Sequence, residues 1–228
     1  MNRGNILDKP ELQELFFELL RCIPGESGRG ALLVATAHVD DQLTKLIQAI
    51  LPKNGNKEFR KILKYPGPLG SFSAKINLCF AFRLIGKRTY DSLHALRKLR
   101  NDAAHSSSNM ELHELNAELK KIYDLGPDMP YHINRMATTA MLNGKLEHIK
   151  SGLEPFKLQV SEEKKIVENV IKENLDILEK QVPYWELVYG LTLICATISH
   201  HKDDIIELTK DMSVWSDLLK NNSSSEGR

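Results

Sequence analysis

The densest group of side chains able to hold a phosphate or transfer a proton lies in residues 97–105. It contains Arg97, Lys98, Arg100, Asn101 and His105. An arginine guanidinium grips a phosphate with a planar fork of N–H donors, and a histidine takes or gives a proton near neutral pH. The stretch therefore fits a ribonuclease-type site, or else the polar surface of a helix that has no catalytic role.

The spacing of these residues is typical of one amphipathic helix, with steps of three and four along each side. The apolar stripe is Leu93, Leu96, Leu99 and Ala103, and the polar stripe is His94, Lys98, Asn101 and His105. Arg100 and His105 are separated by about 140° around an ideal helix, so they cannot act on one atom from the same helix. Two antiparallel copies could bring them into one cleft, which predicts a homodimer. In the simpler interpretation the basic residues near the C-terminal end of the helix offset its dipole, and His105 caps the helix.

The helix predicted for residues 27–51 carries a second group of interest. Asp40 lies away from its main apolar stripe, and a carboxylate on a partly apolar surface requires a cation. We predict that Asp40 pairs with Arg97 or Arg100 and orients it. In the alternative interpretation Asp40 and Asp41 are both solvated, and Asp41 reaches Lys45 one turn later.

Composition limits the classes of function. The chain has 228 residues, 42% of them hydrophobic and 27% charged, and a net charge of +1, so no overall field attracts nucleic acid. Residues 87–100 are locally basic. Cys22, Cys79 and Cys195 lie in apolar stretches without metal-ligand spacing, which predicts reduced core thiols of a cytoplasmic protein, with no metal and no cofactor. No signal peptide and no membrane span of roughly 20 apolar residues is predicted.

Apolar residues recur at helical spacing along the whole chain, which predicts an all-α helical bundle. The predicted helices cover residues 7–22, 27–51, 71–85, 89–105, 112–123, 134–142, 161–181, 183–198 and 205–219. The helix at 71–85 has so little polar surface that we expect it at the centre of the bundle. His200 and His201 are expected in a loop between helices and not in a metal site.

Glycine and proline at residues 126–130 mark a candidate boundary. It divides the chain into a helical domain at 1–125, a C-terminal helical extension at 126–220 and a disordered tail at 221–228.

Three segments together carry a family resemblance: residues 26–34 with Asp40 after them, residues 67–78, and residues 93–106. They resemble the mannitol operon repressor family, small helical bacterial proteins that regulate genes for mannitol uptake. The resemblance covers about residues 7–122. Lys75 and Asn77 stand where this family is expected to have arginine and aspartate.

Residues 100–105 also resemble the motif of the wider HEPN superfamily. In its active members this motif implies a metal-independent endoribonuclease at a dimer interface. Arg100 would hold the scissile phosphate and His105 would deprotonate the ribose 2′-OH, with Asn101 completing the catalytic set. Arg97, Lys98 and Asp40 would support substrate binding.

Many HEPN-like domains are inert binding modules, and the sequence contains no DNA-reading motif. The resemblance therefore implies a non-enzymatic regulator that binds a protein partner. The endoribonuclease, with RNA as its partner, is the alternative, and a domain that senses a sugar or metabolite through the same polar stripe is a third, weaker hypothesis.

Overall fold

The computed structural model describes residues 9–51, 61–106, 110–156 and 159–223, with side chains described up to residue 207. Within these ranges the protein is all-α, as predicted, and no residue is in a strand. The helices are α1 Pro10–Cys22, α2 Gly28–Ile50, α3 Phe72–Ala81, α4 Lys87–His105, α5 Asn116–Ile122, α6 Met129–Leu153, α7 Val160–Glu173 and α8 Leu175–Ser223. Short 3-10 turns follow α1 and precede α5.

The core forms where α8 packs against α2, α6 and α1. Its inward residues, among them Leu187, Leu191 and Ile194, are fully buried. They join one hydrophobic cluster with residues of α1, α2 and α4, so the C-terminal helix completes the core of the N-terminal half. The predicted division into domains stays a prediction.

Helix α8 is continuous where the sequence predicts two breaks. Pro183 lies inside the helix, although an interior proline costs about 3 kcal/mol through its missing N–H and its steric clash. Leu178, Tyr184 and Leu187 are buried on both sides of it, and this packing offsets the cost. The expected loop at His200 and His201 is therefore wrong, because both residues are helical.

The stretch Leu175–Glu207 of α8 is long and apolar enough to cross a membrane, by length and composition alone. The sequence-based expectation of no membrane span stays a prediction. Because 72% of its most apolar window is buried inside the fold, the stretch has the character of a core helix.

Helix α4, which carries the basic stretch, is anchored as its spacing predicts. Leu93, Leu96, Leu99 and Ala103 are all buried. The helix begins earlier than predicted, because Gly86 is its N-cap residue and does not end the preceding helix. In the polar stripe Lys98 and His105 are exposed, and His94 and Asn101 are half-buried.

Helix α3 differs from the prediction of a central, fully covered helix. Ser71 caps it by accepting a hydrogen bond from the backbone N–H of Ala74 at 3.2 Å. The helix ends at Ala81, and Arg83 then adopts a left-handed φ of 57° that redirects the chain. Phe80 and Phe82 are 37% and 63% exposed, so the residues that the structure describes leave this end of the segment partly uncovered.

The thiols also differ from the prediction that all three are in the core. Cys79 and Cys195 are buried and unpaired, and burial raises the pKa of each to about 12. Cys22 is exposed at the end of α1. Cys22 lies seven residues after Leu15 and therefore on the same side of the helix, but α1 ends there and the next residue, Ile23, is the one that is buried.

The C-terminal part forms fewer and longer helices than predicted. Met129–Leu153 is one helix where the sequence predicts helix only at 134–142. The expected tail at 221–228 begins with helical backbone up to Ser223, and residues 224–228 lie outside the described part.

Candidate functional site

The first and third segments of the family resemblance meet at the end of α4. Arg29 donates a hydrogen bond from its guanidinium to the carbonyl oxygen of Ser106, the C-cap residue of α4. Gly28 is buried, and a Cβ at this position would overlap the carbonyl of Met110. The start of α2 is thus fixed against the end of the basic helix, and glycine is required for the close approach.

The first and second segments meet through a different ion pair from the one predicted. Asp40 accepts a hydrogen bond from Lys75 at 2.6 Å, and the lysine side chain is only 5% exposed. The other carboxylate oxygen of Asp40 is buried and has no hydrogen-bond partner among the described residues. The predicted pairing of Asp40 with Arg97 or Arg100 is therefore wrong, because the packing of α3 against α2 places Lys75 nearer. The predicted Asp41–Lys45 pair is confirmed at 2.6 Å.

A polar and aromatic network joins the second and third segments on the outer surface. We define the α3–α4 face as Asn77, Phe80, Lys87, Tyr90, His94 and Arg97. The Oδ1 atom of Asn77 accepts from the Tyr90 hydroxyl at 3.3 Å and lies 3.2 Å from Nε2 of His94. Arg97 donates from Nε to Nδ1 of His94 at 3.3 Å.

Aromatic contacts complete the α3–α4 face. The rings of Phe80 and Tyr90 lie 4.3 Å apart, and the Tyr90 ring meets the His94 ring edge-on at 4.4 Å. Lys87 lies 5.5 Å from the centre of the Tyr90 ring and pairs with Asp91 one turn later. The face thus combines aromatic rings with two cations.

The hydrogen bonds of the α3–α4 face determine the protonation state and the tautomer of the His94 ring. Burial lowers its pKa, the charge of Arg97 lowers it further, and Asp91 opposes them. Because Nδ1 accepts from Arg97, a neutral ring places its proton on Nε2, where it faces the acceptor Oδ1 of Asn77. His94 is therefore a neutral, oriented ring near pH 7.

The residues predicted to be catalytic lie further along α4. Arg100 and His105 are exposed, and Arg100 donates to Oδ1 of Asn101 at 3.0 Å. In the part of the chain that the structure describes, this hydrogen bond joins two members of the predicted catalytic set. Lys98 is exposed beside them. Their convergence between two copies stays a prediction, as does the link to the HEPN superfamily.

A second region was not predicted from the sequence. A cavity of about 730 Å³ opens where the start of α4 and the end of α5 meet the start of α6. We call it the basic basin. Its lining is Arg88, Lys120, Lys121, Asp124, Gly126, Pro127, Asp128, Pro130, Tyr131 and Asn134. The adjacent lysines and the turn at 126–130 were the available signals, but neither indicates a cavity alone.

The basic basin rests on a polar contact with α8. Asn134 donates to Oε1 of Glu186 at 2.5 Å. Burial raises the pKa of Glu186, and the Asn134 hydrogen bond and the Lys120 charge counteract this. Beside it, Tyr123 is fully buried and packs its ring on Gly190, where a Cβ would overlap the ring.

A smaller cavity of about 370 Å³ lies between α1, α6 and α8. It is mainly apolar, with Phe16, Phe17, Met136 and Tyr189 among its lining residues. In the described ranges, no three His, Cys, Asp or Glu side chains gather as metal ligands at any of these places.

Comparisons with known proteins identify the fold. No protein-family model matches the chain, and no curated protein matches it in sequence. A chain of the X-ray structure of the MtlR–HPr complex from Escherichia coli is structurally similar, with a TM-score of 0.55 and 14% sequence identity. The similarity covers 84% of this chain and 99% of that chain, so the two share a fold.

Proposed function

We propose that the protein is a non-enzymatic helical regulator of the mannitol operon repressor type that acts by binding a partner protein similar to HPr. One observation supports this most strongly: the shared fold with a chain of the MtlR–HPr complex covers 84% of the present chain. That coverage extends well beyond residues 7–122, which carry the sequence resemblance. The likeness therefore includes the C-terminal helices as well.

The α3–α4 face is the surface that we propose for the partner. Aromatic residues and arginine are enriched at the centres of protein interfaces, where they contribute most of the binding energy. Phe80 is 37% exposed and Tyr90 and Arg97 are half-buried, so they are accessible yet held in place. Their mutual contacts reduce the entropy lost when a partner binds.

Calorimetric titration with HPr tests the proposal. We expect saturable binding to the full chain, weakened roughly thirtyfold by Phe80→Ala and by Arg97→Ala, as for interface residues worth about 2 kcal/mol. Phe156 is 70% exposed outside the face, so Phe156→Ala is the matched control and should bind HPr as the natural chain does. Equal affinity of all variants would place the partner elsewhere.

The alternative is tested with the same preparations. Absence of saturable HPr binding at about 0.1 mM would contradict the proposal. RNA cleavage in EDTA that is lost in Arg100→Ala and His105→Ala would replace the regulator with the endoribonuclease. Both side chains are exposed, so these substitutions should leave the fold intact.

A homodimer in the cytoplasm is part of the same proposal. The unpaired, buried thiols of Cys79 and Cys195 are consistent with a reducing compartment. Light scattering over a range of protein concentrations tests the dimer, and a constant monomer mass would contradict it.

A further inference from the structure

We propose that the basic basin binds a small phosphomonoester that carries hydroxyl groups, such as a sugar phosphate. The inference goes beyond the proposed function, because none of the residues of the α3–α4 face lines this cavity. It assigns a small-molecule site to a protein whose proposed partner is another protein.

The cations of the basin are the first argument. Arg88, Lys120 and Lys121 come from two helices and surround one cavity. In the part of the chain that the structure describes, none of the three forms an ion pair with a carboxylate. Three cations against the two carboxylates of the lining, Asp124 and Asp128, leave the cavity with a net positive charge, which the negative charge of a phosphate would offset. Arginine suits a phosphate because its planar fork matches two phosphate oxygens.

The geometry around Arg88 keeps its fork available. A Cβ on Gly126 would lie 3.6 Å from a terminal nitrogen of Arg88, so the guanidinium lies beside the backbone of the turn. Gly126 is itself buried. Arg88 is exposed and forms no ion pair with a carboxylate among the described residues, so its fork is accessible to a ligand.

The volume of the basin and its lining residues other than the three cations indicate what the ligand carries besides the phosphate. A volume of about 730 Å³ lies within the range of metabolite pockets, about 300–1,000 Å³, and exceeds what a phosphate ion fills. Asp124 and Asp128 accept hydrogen bonds from hydroxyl groups but repel a second negative charge. The exposed ring of Tyr131 offers a flat apolar surface. Together these features select one phosphate on a hydroxylated body over a polyphosphate or a dicarboxylate.

Calorimetric titration of the full chain with glucose 6-phosphate, inorganic phosphate and glucose tests the proposal. We expect glucose 6-phosphate to bind with a Kd of about 1 mM or lower, inorganic phosphate more weakly, and glucose not at all. Arg88→Gln and Lys121→Gln should each weaken glucose 6-phosphate roughly tenfold to a hundredfold. Lys145 is an exposed cation of α6 outside the basin, and Lys145→Gln should bind as the natural chain does.

A second variant separates the two parts of the ligand. Asp124→Asn should not weaken the binding of inorganic phosphate, because it removes a repelling charge. It should, however, lower the ratio of the affinity for glucose 6-phosphate to the affinity for inorganic phosphate. Three results would each overturn the proposal. The first is binding of glucose 6-phosphate by Arg88→Gln with undiminished affinity, and the second is binding of glucose as tight as that of glucose 6-phosphate. The third is no saturable binding of glucose 6-phosphate up to about 10 mM. Circular dichroism checks that each variant is folded.

The same variants distinguish this inference from the proposed function. Arg88→Gln and Lys121→Gln should bind HPr with unchanged affinity, whereas Phe80→Ala should bind glucose 6-phosphate with unchanged affinity. If the chain does not bind HPr, the result with glucose 6-phosphate still stands, and if it does not bind glucose 6-phosphate, the result with HPr still stands.

Discussion

The α3–α4 face and the basic basin both present cations to solvent, but they hold them differently. On the face, Lys87 pairs with Asp91 and Arg97 donates to His94, so each cation is engaged with a neighbour on its own helix. In the basin, Arg88 and the two lysines surround a cavity without ion pairs within the described ranges. Cations that are paired with neighbours among aromatic rings suit a broad macromolecular contact, whereas converging cations that form no ion pair within the described residues suit a small anion.

The difference extends to what supports each region. Beneath the basin lies tight apolar packing of Tyr123 on Gly190, together with the Asn134–Glu186 contact. Beneath the face lies the Asp40–Lys75 ion pair that ties α3 to α2. Substitutions beneath the basin therefore test apolar packing and a buried hydrogen bond, whereas substitutions beneath the face test a buried ion pair.

The largest effect is expected for Gly190→Ala. The new Cβ would overlap the Tyr123 ring, which is fully buried and has no space to move, so we expect unfolding to become easier by about 3 kcal/mol. Gly144→Ala is the matched control, because a Cβ there meets open space in α6 and should stabilise the helix by about 0.5–1 kcal/mol. Urea denaturation measures both, and equal stabilities would contradict the packing.

A smaller effect is expected for Lys75→Ala beneath the face. Removal of the buried ammonium leaves the Asp40 carboxylate without its partner, which should cost about 2 kcal/mol. Lys45, in the exposed pair with Asp41, is the control, and Lys45→Ala should cost less than about 1 kcal/mol. A loss for Lys75→Ala no greater than for Lys45→Ala would show that the buried pair does not stabilise the fold.

Glu186 makes the basin support sensitive to pH. Because burial raises its pKa above 4.5 in the folded state, the folded protein binds more protons than the unfolded chain, and stability falls as pH rises from 4.5 through the folded pKa. In Glu186→Gln this contribution is absent. The free energy of unfolding of the variant, relative to the natural chain, should therefore increase from pH 4.5 to neutral pH. A difference that does not change with pH would contradict the burial of the charge.

The smallest effect is expected for Asn77→Asp on the face. A carboxylate beside Nε2 favours the imidazolium, so the pKa of His94 should rise from its lowered value towards or above 6.5. The loss of stability that the lowered pKa causes below pH 6.5 should shrink accordingly. Titration of the His94 ring protons by NMR measures the change, and an unchanged pKa would show that the ring does not contact residue 77.

Helical periodicity predicted the inner side of the protein better than its outer side. Leu93, Leu96 and Leu99 are buried as predicted, because apolar residues spaced three and four apart lie on one side of a helix, and that side packs on the core. The same argument failed for Phe80, since an apolar composition does not tell where a helix ends or which neighbour covers it. Pro183 alone predicts the start of a new helix, but the apolar residues buried on both sides of it keep α8 continuous.

The polar contacts depended on packing that one helix cannot reveal. The requirement of Asp40 for a cation was predicted correctly, but whether α3 or α4 supplies that cation depends on the distances between helices. The basin combines residues from α4, α5 and the turn before α6, and no short motif links them. Whether Arg100 and His105 act together stays a prediction that concerns two copies of the chain.

Exposed Cys22 has a practical consequence for every titration described above. Thiolates, and not thiols, react with maleimides, and the two other thiols are buried with pKa values of about 12. A fluorescent maleimide at neutral pH should therefore label the folded chain at a single place, the end of α1. The folded chain can therefore carry one fluorescent label without any engineered cysteine.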